Sequence, residues 1–160
     1  MKRVGGTGRK SAGILLYRFA NGSVEVLLVH PGGPFWKNKD AGVWSIPKGE
    51  FTDEDVLDAA RREFKEETSF DVPPAQPIAL TGVKQNRGKT VFAFAVEGSI
   101  DASAVKSNTF KMEWPPKSGR WIEIPEVDKA AWFTPEEAKQ KILAGQAPLI
   151  DELLLLLPKS

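Results

Sequence analysis

From Glu54 to Thr68 the chain drops strand-like patterning: Leu57, Ala59, Ala60 and Phe64 gather on one side of a helix and charges fill the rest. The flanking segments carry a different signature. Ser11–Phe19 (SAGILLYRF) and Val24–His30 (VEVLLVH) are rich in β-formers, and Ala20-Asn21-Gly22-Ser23 between them is a hairpin signal. Pro31–Ala41 (PGGPFWKNKDA) reads as a loop, and Val43–Ile46 as a short strand stopped by Pro47. Beyond the helix, Ile78–Val83, Thr90–Glu97, Arg120–Ile124 and Ala130–Phe133 are strand candidates. Thr134-Pro135-Glu136-Glu137 opens a second helix with a capping box, which Gly145 ends, and Leu149–Leu157 forms a last amphipathic helix. This order predicts a mixed α/β domain with helices packed on sheet faces. Residues 1–10 read as a flexible arm, and residues 11–160 as one domain with C-terminal helices.

Composition narrows the chemistry. The chain has no cysteine, which excludes disulfides, thiolate nucleophiles and Cys-ligated zinc or iron–sulfur centres. His30 is its single histidine, so a His cluster is excluded and a His-centred triad is disfavoured. Any bound metal must take oxygen ligands, which points to magnesium, manganese or calcium. Lys and Arg number 22 against 21 Asp and Glu, so no general nucleic-acid-binding surface is expected and phosphate binding must be local. Met1–Lys10 lacks the apolar core of a signal peptide, and the longest apolar run, Leu153–Leu157, is too short to span a bilayer. No membrane association and a cytoplasmic location are the expectation.

Gly5-Gly6-Thr7-Gly8-Arg9-Lys10-Ser11 superficially suggests a phosphate-binding P-loop. It lacks Gly before Lys10 and follows no strand, so it reads as a basic tail. The stronger constellation lies on the first helix. Glu63, Glu66 and Glu67 stand at i, i+3 and i+4 and share one helical face, where like charges repel unless a cation intervenes. Hard carboxylate ligands at this spacing suit Mg2+ or Mn2+. Arg62 is placed to orient a carboxylate by pairing with Asp58 or Glu66, and Pro47-Lys48-Gly49 upstream reads as a tight loop able to approach a phosphate or metal.

The run Glu54, seven residues, Arg62-Glu63-Phe64-Lys65-Glu66-Glu67-Thr68-Ser69-Phe70 resembles the Nudix box, with Trp44-Ser45-Ile46-Pro47-Lys48-Gly49 similar to the strand and loop that enter it. Two positions depart from that pattern. Gly49 and Glu54 stand one residue closer than the family has them, so the loop tightens or Asp55 takes the Glu54 role. Ser69 stands where the family usually has Gly, at the exit from the helix.

The resemblance implies an α/β/α sandwich around a mixed β-sheet and hydrolysis of a diphosphate linkage in a nucleotide derivative. It also implies a divalent cofactor, Mg2+ or Mn2+. Glu63, Glu66 and Glu67 would be metal ligands, with Lys48 contributing its main-chain carbonyl. Glu63 or Glu126 would take the proton from water, and Arg62 would fix the carboxylates. Glu126 with Trp132 is similar to a late Glu-to-Trp stretch of many members, and with the entry loop looks most like the dinucleoside polyphosphate hydrolase branch. The LLVHPGGPFW and EWPP stretches also look like a bacterial branch of predicted nucleoside triphosphate pyrophosphohydrolases. A small-molecule nucleotide is thus the expected partner, a dinucleoside polyphosphate or nucleoside triphosphate being favoured. The alternative is a Nudix-fold sensor that binds a nucleotide without cleaving it.

On the substrate side, Phe35, Trp36 and Lys37 combine aromatic surface with positive charge, suited to base stacking beside phosphate. Lys48, and Lys84 with Arg87 and Lys89 at an expected hairpin tip, are candidates for phosphate binding. His30, at a strand end, reads as a polar rim residue, and Trp114-Pro115-Pro116 as a rigid extended segment. The Leu-rich end covers the core or buries against a second copy in a homodimer.

Overall fold

The computed structural model describes residues 9–84 and 88–158. Two long strands, β1 (Lys10–Ala20) and β2 (Ser23–Pro31), form the expected hairpin, turning at Asn21 and Gly22 with positive φ. Residues 1–8 of the expected arm lie outside the described residues, and Lys10 already belongs to β1. Next come β3 (Lys48–Phe51), the helix α1 (Val56–Thr68), and two short strands, β4 (Ile78–Ala79) and β5 (Val83–Lys84). The chain then forms β6 (Thr90–Glu97), β7 (Thr109–Glu113), β8 (Trp121–Pro125) and β9 (Val127–Phe133), and ends with α2 (Pro135–Lys141) and α3 (Ala147–Leu156).

Seven strands make one mixed sheet in the order β4-β6-β1-β2-β9, with β3 paired to β1 and β5 to β6. β1 runs parallel to β6, while its pairs with β2 and β3 are antiparallel. β2 and β3 pair with successive parts of β1, so the sheet forks between them. β7 and β8 form a separate hairpin.

β1 is buried from Ser11 through Tyr17 because both sheet faces are covered. Ala12, Ile14 and Leu16 pack towards Ala59, Ala60 and Phe64 of α1, and Leu15 and Tyr17 towards Ala138, Ile142, Leu149, Ile150 and Leu153. Alternate residues of one strand thus serve two helical layers, giving the α/β/α sandwich. No helix among the described residues is long and apolar enough to cross a membrane.

Several elements differ from their sequence reading. Pro47-Lys48-Gly49 is no tight loop: Lys48–Phe51 is a strand, because β1 offers it a free edge. Val43–Ile46 makes only two isolated bridges, Val29 to Ser45 and Trp44 to Ile142. Ile78–Val83 is split into β4 and β5, which pair with different parts of β6. β9 begins earlier than expected, at Val127, and Thr109–Glu113 is a strand whose alternation is too weak to read alone. Trp114-Pro115-Pro116 enters the β7–β8 turn rather than an extended run. The capping box of α2 forms as expected between Thr134 and Glu137, but the helix stops at Lys141 and Gly145 lies in a following 3-10 turn.

Two helix-end residues resolve the departures at the box. Asp55 caps α1, its carboxylate accepting from Leu57 N–H and Asp58 N–H, both at 3.2 Å, so it does not take the place of Glu54. Ser69 adopts the left-handed conformation at φ 72°, its N–H donating to Lys65 O at 2.8 Å and its hydroxyl to Lys106 O. The tertiary bond accompanies a conformation that an L-residue adopts at some cost.

α3 buries one side only: Leu149, Ile150 and Leu153 are inaccessible, whereas Leu155 is 86% exposed. Leu153→Ala is expected to cost about 2–5 kcal/mol. Leu155→Ala is expected to stay within about 0.5 kcal/mol. Denaturant unfolding of the two variants checks both values.

Candidate functional site

The acidic face of α1 meets the sheet at β3. Glu63 is buried against Gly49, where a Cβ would lie inside the Glu63 carboxylate, so this strand position admits only glycine without displacement. Arg62 answers the buried charge. Its Nη1 donates to Glu63 at 2.7 Å and to Glu66 at 3.0 Å, while Nε and Nη2 grip Glu54 at 2.8 and 2.5 Å. The expected orienting role fits this geometry, but Glu54, Glu63 and Glu66 are the partners and Asp58 is not. These bonds, Glu54 foremost, hold the guanidinium more firmly protonated than usual, and Arg62 in turn lowers the Glu54 carboxyl.

Glu67 has no such cation. One oxygen accepts from the Lys48 main-chain N–H at 3.3 Å, and burial pushes its carboxyl up to about 8 against the opposing pull of Lys48. Burial also raises Glu63, with Arg62 opposing it and Glu66 and Glu126 adding repulsion. Glu126 is raised by burial and then by Glu66. Lys48 is lowered, first by burial and then by Lys89, with Glu67, Glu50 and Glu63 acting the other way. The site is therefore a half-buried acidic centre in which carboxyl groups outnumber the neighbouring cations.

Glu126 arrives from the β8–β9 junction. Its N–H donates to Asn108 O at 2.9 Å, its carbonyl accepts from Gly32 N–H at 3.0 Å, and Asn108 N–H donates to Glu66 O at 2.9 Å. The buried Ser107 hydroxyl accepts from Val127 N–H at 2.9 Å and donates back to the main chain. Ser107 and Asn108 thus tie α1 to Glu126. Sequence reasoning missed them, since nothing in an ordinary polar loop marks such a bridge.

A cleft of about 220 Å3 opens between β2 and β3. Trp36, Val29, Val43 and Leu143 give it apolar surface, and Lys48, Glu67 and Glu126 supply its charged groups. Of the expected substrate residues, the structure brings Trp36 and Lys48 to this cleft. Phe35 is exposed, packs edge-on to Trp36 and carries the Lys39 ammonium over its ring. Lys37 and Lys84 are exposed away from the lining, and Arg87 lies outside the described residues.

Glu63, Glu66 and Glu67 share the expected face. As they stand, however, the first two turn to Arg62 and the third to Lys48, and among the described residues no three metal-binding side chains converge. His30 is no rim residue: it is fully buried, with Nδ1 at 2.9 Å from Asp128 and Nε2 at 2.6 Å from Lys39 O. It fastens the Trp36 loop to β9.

A sequence profile of the NUDIX domain matches residues 7–153. The chain belongs to the NUDIX family. Solved structures show the same fold. A C. elegans Ap4A hydrolase binary complex superposes with a TM-score of 0.63 at 23% identity, covering 92% of this chain and 96% of that one. The NUDIX domain of Shewanella oneidensis NrtR, complexed with ADP ribose, gives 0.63 at 19% identity over 92% and 87%. A Bacillus halodurans MutT protein gives 0.57 at 19% over 91% and 82%. No curated protein sequence matches the chain. Within this NUDIX fold, the acidic face of α1 is the segment that resembles the family's box.

The unfolded chain gives up the Glu67 proton near the ordinary 4.5, well before the folded protein does near 8. Without divalent cations, this group therefore contributes a loss of stability as pH rises from 4.5 to 8. Glu67→Gln in chelator is expected to flatten that slope and raise the Tm at pH 8 by several degrees. Thermal unfolding across that range checks the sign.

Proposed function

We propose that the protein hydrolyses a diphosphate linkage in a nucleotide derivative, a dinucleoside polyphosphate or nucleoside triphosphate being favoured, with Mg2+ or Mn2+ as cofactor. The observation that carries this reading is the acidic centre formed by Glu63, Glu66, Glu67 and Glu126 at the edge of a cleft with one aromatic wall. Membership of the NUDIX family and the likeness to Ap4A hydrolase and MutT structures support it.

The donor set fits a hard divalent ion: every candidate ligand is an oxygen, and the one histidine is engaged elsewhere. Glu63, Glu66 and Glu67 would hold the ion, together with the Lys48 carbonyl. When bound, such an ion neutralises phosphate charge and lowers the pKa of a coordinated water.

The remaining roles belong to the chain. Arg62 keeps Glu63 and Glu66 from splaying apart by repulsion, since one Nη1 bonds both. The Lys48 ammonium lies where it can meet an anionic phosphate entering the cleft. Trp36 offers a face for a nucleobase, with Phe35 bracing its edge. Glu126, raised in pKa at the cleft wall, is suited to take a proton from the attacking water, a task that favours a base with affinity near the working pH. Lys37, Lys84 and Arg87 would contribute positive charge around the entering phosphates.

Product analysis on diadenosine polyphosphates, nucleoside triphosphates and nucleotide sugars, each with magnesium and with chelator, tests the proposal. Metal-dependent cleavage at a diphosphate linkage is expected. Glu67→Gln is expected to abolish nearly all of it, and Glu126→Gln to lower kcat by about 10²–10⁴-fold. Retained turnover in Glu67→Gln overturns the ligand assignment, and nucleotide binding without turnover by the unaltered protein replaces hydrolysis with sensing.

A further inference from the structure

β7 and β8 stand apart from the main sheet and pair with each other alone. A two-stranded hairpin is marginal in water unless a further strand or a packed face supports it. Here only the base is packed. Ile124 is buried and lies against Gly33, whereas Phe110, Trp121 and Ile122 are 40, 65 and 38% exposed. The main chain shows which groups of β7 are open. Trp114 N–H donates to Arg120 O at 2.9 Å, so Phe110, Met112 and Trp114 direct their main-chain groups at β8. By alternation, the N–H and C=O of Thr109, Lys111 and Glu113 face away from β8, along an edge with no other strand among the described residues beside it.

We propose that this edge pairs antiparallel with the same edge of a second copy of the chain, about a two-fold axis at Met112, joining two hairpins into one four-stranded sheet. Such a contact is self-complementary: what one copy offers, the other must accept. Outward groups must meet outward groups, which puts the axis at a residue rather than between two, and charge then selects the residue. An axis at Lys111 sets lysine opposite lysine, and one at Glu113 sets glutamate opposite glutamate. An axis at Phe110 sets Lys111 opposite Thr109 and leaves both charges unanswered. At Met112, Lys111 lies opposite the partner's Glu113, and Glu113 opposite the partner's Lys111. The same register sets Met112 against Met112 and Phe110 against Trp114, so the apolar face that carries Ile122 and Ile124 runs on across the join. A lysine on a sheet edge ordinarily repels an incoming strand. Here it rejects the neighbouring registers and accepts this one. The pairing stands apart from the hydrolytic reading, although it would brace a hairpin whose ends lead to Asn108 and Glu126.

The chain has no cysteine, so single introduced cysteines report the axis directly. Opposite residues of a non-hydrogen-bonded antiparallel pair have Cα atoms about 4.5 Å apart, within disulfide range. Met112→Cys is therefore expected to form a covalent dimer on mild oxidation of the folded protein. Thr109→Cys is expected to stay monomeric on non-reducing gels, because its two copies would stand about 20 Å apart. Linkage at Thr109→Cys, or none at Met112→Cys, overturns the proposal. Sedimentation velocity over a concentration series gives the second readout. The unaltered protein is expected to pass from monomer to dimer, and a monomer throughout overturns the pairing. Lys111→Glu is expected to weaken the dimer about tenfold or more, since it faces the partner's Glu113 with a like charge. Lys111→Glu/Glu113→Lys, with net charge unchanged, is expected to recover it, and Lys117→Glu, with the same charge change off the edge, to leave it intact. Equal weakening by Lys117→Glu reduces the effect to bulk charge and overturns the pairing. Association that survives Lys111→Glu but is lost in Leu155→Glu places the contact on α3 instead, and overturns it too.

Discussion

Burial of negative charge between α1 and β3 is the constraint to which the rest of the site answers. A carboxylate taken out of water is costly unless a cation or several donors meet it. Glu63 is met by Arg62, and its approach is permitted only by the missing side chain at Gly49. Glu67 receives one main-chain N–H and the field of Lys48, too little to keep its pKa in the ordinary carboxylate range. Arg62 therefore has two duties. It offsets repulsion within the helix and leaves, one position further along, a carboxylate whose compensation must come from elsewhere. Evolution tolerates such local destabilisation where a site requires it.

The sandwich makes that arrangement affordable. One side of α1 supplies small and apolar residues, Ala59, Ala60 and Phe64, that fasten it to the β1 layer. Its other side can then carry charge, because the helix is already held in place. β1 contributes from both faces, so α1 and the α2–α3 layer share one central strand and the fork between β2 and β3 is held open. The cleft occupies that fork.

What could be read from the sequence follows the range of the interactions involved. The β1–β2 hairpin, α1 and the α2 cap depend on local spacing, and each was legible. β3 was not, because Lys48-Gly49-Glu50-Phe51 becomes a strand only beside the exposed edge of β1. At the site, the shared face of Glu63, Glu66 and Glu67 is a consequence of helical geometry and was legible too. Glu66 was named as a partner of Arg62, but Glu54 was not, since it reaches Arg62 from the loop before the helix. Ser69 shows the same limit: its left-handed conformation is accompanied by a hydroxyl bond to Lys106, a residue distant in sequence. His30 was misplaced for a related reason. A histidine ending an apolar strand gives no hint that Asp128 and a loop carbonyl will bury it.

Asp128 stands two residues after Glu126 on the same run of chain, and this short segment ties the acidic centre to the aromatic wall of the cleft. Glu126 lies just ahead of β9, and the register with β2 shifts between Val127 and Lys129, so Asp128 stands at a bulge. Glu126 lines the cleft at the head of β9, and Asp128 meets His30, whose other nitrogen holds the carbonyl of Lys39 in the loop bearing Phe35 and Trp36. The aromatic wall is therefore positioned from the same short segment that positions Glu126. The imidazole that holds this loop is buried, with acceptors on both sides and the Trp44 ring at its edge, 5.2 Å between centroids. One strand end thus places both the Glu126 carboxylate at the acidic centre and the aromatic wall of the cleft.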